Sequence, residues 1–380
     1  MRKDRHGGST AIPLSRWLLQ YSTTKTRTTM TSSVRFCLRL KLVWLVVFLL
    51  TAGCHRSVNA QDIEREIFVP STISPEAQQV LKAMIEAKGY ARLVPAADDF
   101  DAWRATHDGL EAASKSRSDQ AIERNKVNVT EAELGGVPVL DIRPESWTDN
   151  GKVLVYTHGG AYTLFSARST LPSSAQMSRA SGLRVISVDY TTAPFAKWQE
   201  IQDQVLNVFE ALLAEGYSMK DIALYGDSAG GGLATSTVLN LRNQGMGMPA
   251  AVVLWAPWVD LSDAGDTAHT LKEADPALSY ERLLYESALA FADGLDLTDQ
   301  RVSPLYADFT DGFSPALIQG GTKEIFLSTA VRLYRKLDEA GQDVTLDIYE
   351  GMWHVFQQFP LPESEIALRK SAAFINKHLM

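Results

Sequence analysis

From about residue 127, short runs of β-branched and apolar residues alternate with longer stretches in which apolar positions recur at helical spacing. The runs predict strands over 127–132, 137–142, 152–157, 184–189, 222–225, 251–255, 315–319 and 344–349. The intervening stretches predict helices over 168–181, 199–214, 229–244, 325–340 and 363–378, and two more precede the first strand, over 76–88 and 98–124. Val153-Leu154-Val155-Tyr156 and Ala251-Val252-Val253-Leu254 are apolar at every position, so neither face of those strands is meant for water. That suits parallel strands covered by helices on both sides. Strands alternating with helices give an α/β class, a mostly parallel central sheet whose first strands form an antiparallel edge.

One interval breaks the alternation. Residues 257–313 hold no clear strand and contain Pro257, Pro276 and Pro304. A long excursion inside an α/β domain is usually functional. With the helices of residues 61–125 it is expected to form a helical cap over the carboxyl edge of the sheet, leaving 61–380 as one domain.

Residues 1–60 have a different character. Leu42 to Leu50 is an apolar run preceded by Arg35, Arg39 and Lys41, the pattern of a secretory signal peptide. A bilayer span needs about 20 apolar residues, so a leader is expected rather than a permanent anchor. Val58-Asn59-Ala60 would allow cleavage before Gln61, giving an exported protein, periplasmic or secreted. Leu50-Thr51-Ala52-Gly53-Cys54 is the alternative, an imperfect lipoprotein box in which a lipid on Cys54 would tether the protein to a membrane. Cys37 and Cys54 are the only cysteines of the 380 residues, so the domain itself has neither a disulfide nor a Cys-based metal site.

Charge separates the two parts further. The leader carries about +9; the whole chain is −8, which leaves −17 for residues 61–380. An acidic domain argues against a nucleic-acid partner, because phosphate contacts need Lys and Arg.

The candidate chemistry lies where strands end. Gly226-Asp227-Ser228-Ala229-Gly230 follows the strand at Ile222–Tyr225 and opens a helix, the setting of a nucleophile elbow with Ser228 at its tip. His158-Gly159-Gly160-Ala161 follows the strand ending at Thr157, and its glycines let backbone approach a substrate closely. The N–H groups of Gly160 and Ala161, with that of Ala229, are therefore expected to form an oxyanion hole. His158 is expected to shape this loop. Of the seven histidines, His6 and His55 lie in the leader, His107 and His269 in the cap segments, and His378 near the terminus. His354, just beyond the last strand, is the expected base. The acid should leave the end of a strand between Ser228 and His354: Glu324 is the choice, with Asp260 and Asp263 as rivals.

These segments resemble the hormone-sensitive-lipase family of α/β hydrolases, including the bacterial carboxylesterases. The likeness runs over roughly residues 70–380. It is carried by His158-Gly159-Gly160-Ala161, Gly226-Asp227-Ser228-Ala229-Gly230-Gly231 and Gly351-Met352-Trp353-His354, with Ser187-Val188-Asp189-Tyr190 and Ala193-Pro194. It implies the α/β-hydrolase fold, a cap, and an acid about thirty residues before the histidine, where Glu324 stands. Ala161 replaces the family's usual third glycine, and Tyr190-Thr191-Thr192-Ala193-Pro194-Phe195 lacks the family's usual charges. The resemblance implies a serine carboxylesterase working on a small-molecule ester through an acyl-enzyme, with no metal or organic cofactor. A lactone or amide hydrolase, or an acyltransferase, would use the same triad; a non-catalytic receptor on this fold would tend to lose a triad member.

Overall fold

The computed structural model describes residues 65–379, and the expected leader lies outside the described residues. Eight strands form one sheet: β1 (Val127–Leu134), β2 (Val137–Pro144), β3 (Val153–Thr157), β4 (Arg184–Val188), β5 (Ile222–Asp227), β6 (Val252–Trp255), β7 (Ala316–Gly321) and β8 (Val344–Tyr349). Their order is β1-β2-β4-β3-β5-β6-β7-β8. β2 pairs antiparallel with β1 and with β4, and every pair from β4 to β8 is parallel. All eight predicted strands are present. The exchange of β3 and β4 was not readable from periodicity, which reports which face a residue takes and not which strand is its neighbour.

Nine α-helices accompany the sheet among the described residues: α1 (Pro75–Ala87), α2 (Phe100–Asn125), α3 (Leu171–Ser181), α4 (Trp198–Ala214), α5 (Ala229–Asn243), α6 (Asp266–Thr270), α7 (Tyr285–Ala292), α8 (Leu327–Glu339) and α9 (Pro362–His378). The continuous apolar runs divide by strand periodicity. Val153, Val155, Leu224, Val252, Leu254 and Ile318 face one core with Val205 and Phe209 of α4, Val238 of α5 and Leu333 of α8. Leu154, Tyr156, Tyr225, Val253 and Trp255 face the other, with Leu171 and Ala175 of α3 and Leu368 and Ile375 of α9. Helices thus cover both faces, as the apolar runs require.

α3 starts three residues later than the expected 168, with Pro172 in its first turn, where a missing N–H costs nothing. The strandless stretch 257–313 contains α6 and α7, neither of which the pattern revealed. α6 spans five residues, and α7 (Tyr-Glu-Ser-Ala-Leu-Ala-Phe-Ala) is buried on most sides and has no clean apolar stripe.

The two segments expected to form the cap touch each other and the loop after β3. Arg65 Nη1 donates to the carbonyls of Asp275 (2.9 Å) and Leu278 (3.2 Å), and Arg282 Nη1 to that of Ala91 (3.3 Å). His107 on α2 hydrogen-bonds the Thr163 carbonyl, while the Thr163 hydroxyl meets Ser287 of α7 at 2.9 Å.

Candidate active site

β5 delivers its last residues, Gly226 and Asp227, to a turn in which Ser228 takes φ 55° and ψ −124°, and α5 begins at the next residue. A side chain forced to positive φ is strained, and the surroundings must hold it there. They do so through the Ser228 N–H on the Trp255 carbonyl (2.9 Å) and the Trp258 N–H on the Ser228 carbonyl (2.8 Å). The turn is tight enough that a Cβ on Gly226 would strike the Gly230 carbonyl, and one on Gly230 would strike the Thr157 carbonyl. Both glycines of the motif are therefore steric necessities.

The loop after β3 is built on the same scheme. Gly160, Ala161 and Tyr162 all have positive φ, at 119°, 55° and 62°. Among the described residues, the N–H groups of Gly160, Ala161 and Ala229 have no hydrogen-bond acceptor. Tyr190 holds the loop from behind, its hydroxyl donating to the His158 carbonyl (2.7 Å) and its ring stacking on the imidazole at 4.1 Å. The Ala193 N–H adds a bond to the Tyr162 carbonyl (2.8 Å). His158 is fully buried, and burial pushes its pKa down to about 4, so its ring is neutral at pH 7. A neutral buried ring with Nδ1 2.8 Å from the Gly159 carbonyl fits the expected shaping role.

The third loop pair brings the acid to the histidine. The Lys323 N–H donates to the Met352 carbonyl (2.9 Å) and the Gly351 N–H to the Thr322 hydroxyl (2.8 Å), joining the loops that follow β7 and β8. Glu324, fully buried, places Oε2 3.0 Å from His354 Nδ1 and takes the Gly321 N–H on Oε1 at 2.6 Å. The rival carboxylates are engaged elsewhere. Asp260 is paired with Arg332 at 2.6 Å and accepts from Tyr306, and Asp263 lies beside His269.

Contacts continue from the histidine to the serine. The Phe326 ring meets His354 edge-on at 5.1 Å and stacks on Trp258 at 5.8 Å, and Trp258 holds the Ser228 carbonyl. Gln358, four residues past His354, donates to Asp227 Oδ2 (3.3 Å), beside Ser228. Asp227 also accepts from the Tyr156 hydroxyl and from the Gly159 N–H (3.3 Å), so one buried carboxylate touches all three loops. Burial pushes its pKa up to about 6, against the pull of the Tyr156 hydroxyl and of His354. Sequence reasoning passed over Asp227 as the variable position of the motif; a carboxylate placed against a serine between glycines was the available signal.

Of the nine non-glycine residues with positive φ among the described residues, six lie in loops leaving the carboxyl ends of strands: Ala161, Tyr162, Phe165, Ser228, Ala256 and Val355. Backbone strain gathers at functional sites. Val355, β-branched and next to His354, is the least tolerant of that conformation.

A profile of the α/β-hydrolase fold matches residues 154–358, more than half of the chain and the whole span from the Gly-rich loop to His354. The chain belongs to this family. An esterase of Acinetobacter venetianus is 33% identical over 250 residues, covering 65% of this chain and 82% of that protein. An acetyl-hydrolase of Streptomyces hygroscopicus is 32% identical over 228 residues, covering 60% and 76%. Among solved structures, an esterase matches with TM-score 0.76 at 28% identity over 86% of this chain and 99% of its own. An esterase of the bacterial hormone-sensitive lipase family matches with TM-score 0.70 at 30% identity over 81% and 99%. This α/β hydrolase is of that bacterial hormone-sensitive-lipase type.

Proposed function

We propose that this α/β hydrolase cleaves carboxylic esters of small molecules with Ser228 as nucleophile, His354 as base and Glu324 as acid. The observation that carries the reading is the pairing of buried Glu324 with His354 at 3.0 Å, in contact with the elbow through Phe326 and Trp258. With Nδ1–H donating to Glu324, His354 Nε2 keeps its lone pair for the Ser228 proton. Ser228 Oγ then bonds the ester carbonyl carbon. The charge developing on the carbonyl oxygen is met by the N–H groups of Gly160, Ala161 and Ala229, which have no other acceptor among the described residues. His354 passes the proton to the departing alcohol as the C–O bond breaks. Water, giving its proton to His354, then attacks the acyl carbon; the bond to Ser228 Oγ breaks, His354 returns the proton to that oxygen, and the acid is released.

The cap role of residues 61–125 and 257–313 belongs to the same proposal, supported by the hydrogen bonds of His107 and Ser287 to Thr163 in the Gly-rich loop. The test is covalent trapping with a fluorophosphonate, followed by peptide mass spectrometry. The adduct is expected on the Ser228 peptide, at a rate that collapses in His354→Ala. Labelling of another serine with equal loss of esterase activity would overturn the assignment.

A further inference from the structure

Asp275 is fully buried in the excursion between β6 and β7, and none of the motifs includes it. Its Oδ1 accepts the N–H groups of Ala277 (2.7 Å) and Leu278 (2.9 Å), closing the turn at Pro276. Its Oδ2 leaves that turn and accepts the N–H of Ile325 at 2.9 Å, fifty residues on. The Ile325 N–H belongs to the peptide that joins it to Glu324. The carbonyl of that peptide accepts from Leu327 (3.2 Å), so both polar ends of the peptide are held. On the other side, Arg65 grips the Asp275 and Leu278 carbonyls, its guanidinium lying 4.2 Å over the Tyr90 ring.

Resting on the triad reading above, we infer that Asp275 is a positioning residue, which fixes the Glu324–Ile325 peptide and thereby aims the Glu324 carboxylate at His354, with Arg65 as its anchor. A buried carboxylate is an expensive way to close a turn, since burial pushes its pKa up to about 6 even against the pull of its three N–H donors and of His354. A serine or asparagine would cap the local N–H groups. A carboxylate differs in offering two oxygens that only accept, one for each side of the junction. The cap excursion and the acid are in this way one mechanical unit: displacement of the 275–278 turn is transmitted to the atom that orients the base.

Asp275→Asn separates the two duties. The amide keeps one oxygen for Ala277 and Leu278 and turns an N–H donor toward the Ile325 N–H. Misplacement by about 1 Å in a catalytic constellation can cost on the order of 10²-fold, so kcat should fall about 10- to 100-fold, with KM within about twofold. A carboxylate drawn away from the imidazole also stabilises its charged form less, so the acid limb of the kcat/KM profile should move to lower pH. Loss of the Asp275 charge also lowers that pKa, so the limb is measured in Arg65→Gln as well, which keeps the charge; a purely structural role would leave the limb of Arg65→Gln in place. Unchanged kcat and an unmoved limb, in a protein where Glu324→Gln is crippled, would overturn the inference alone. Full activity of Glu324→Gln would overturn the triad reading and the inference with it. If Asp275→Asn does not fold, Arg65→Gln tests the same chain from its anchor. A several-fold loss of kcat at constant KM supports it, and wild-type kcat overturns it.

Discussion

His354 Nδ1 and Glu324 Oε2 stand 3.0 Å apart, on two loops whose backbones are hydrogen-bonded to each other, while Asp260 spends its carboxylate on Arg332. This predicts a sharp asymmetry. Glu324→Ala should lower kcat by a factor of about 10³–10⁴, the scale on which a triad acid acts through the tautomer of its histidine. Asp260→Ala should leave kcat within a few-fold and lower the thermal midpoint, because it leaves Arg332 without its buried partner. Steady-state kinetics and thermal melts on both variants check this. Comparable kcat in the two proteins would contradict it.

Ser228→Ala should abolish turnover of an activated ester, a loss of about 10⁴–10⁶-fold, without unfolding the protein. Alanine still occupies φ 55°, so the elbow strain remains and the melting temperature should move little. A folded variant that kept a tenth of wild-type activity would remove Ser228 from the mechanism.

The sequence was legible where chemistry and periodicity are local. Apolar runs gave the central strands, because a strand buried on both faces has nowhere to put a polar side chain, and β-branched residues gave the more exposed edge strands β1 and β8. The elbow, the Gly-rich loop and Glu324 could be placed because each directly follows a strand. What escaped depends on long-range packing. The order β2-β4-β3 is set by sheet pairing, and α7 is hidden by burial on most sides. Asp275 and Gln358 act on groups 50 and 131 residues away, at Ile325 and Asp227. Asp275 had one local signal, the Asp-Pro turn, but nothing in a turn motif says that its second oxygen reaches the acid loop.

Acid should weaken the fold through His158. Its pKa is pushed down to about 4 by burial, against a model-peptide value near 6.5 in the unfolded chain. Between those values the unfolded chain binds more protons, so stability rises with pH: this contribution is complete above about 6.5 and is lost as pH falls toward 4. Asp227 and Asp275, pushed up to about 6, act in the opposite sense, losing stability as pH rises from about 4 to 6, so a wild-type profile mixes the two. His158→Gln isolates the histidine. The stability difference between wild type and variant, from denaturant titrations, should shift in favour of wild type by up to about 1.4 kcal/mol per pH unit from pH 4 to 6.5, then level off. A difference independent of pH would mean that His158 does not stay neutral in the fold.

Ala161→Gly should widen the range of alcohols accepted. Both residues supply the N–H at 161, so the oxyanion contact survives, and only the methyl group changes. Ala161 is 4% exposed and holds φ 55°, a conformation that costs an alanine about 1–2 kcal/mol and a glycine almost nothing. Against that relief, glycine brings more freedom to the unfolded chain, worth about 0.4–1 kcal/mol, so the two terms nearly offset and the melting temperature should change by only a few degrees. The loop is also held at the His158 and Tyr162 carbonyls by Tyr190 and Ala193, which restrains the loosening glycine would otherwise bring. Esters of tertiary alcohols crowd the carbonyl carbon most, and a methyl beside it would keep Ser228 from close approach. The ratio of kcat/KM for a tert-butyl ester to that for the matching ethyl ester should therefore rise in the variant, by on the order of tenfold or more if the misfit in the parent approaches 1 Å. Measuring both esters in both proteins cancels any general loss of activity. A ratio equal to or below that of the parent would place the Ala161 methyl away from the alcohol side, with the acyl side as the next surface to test.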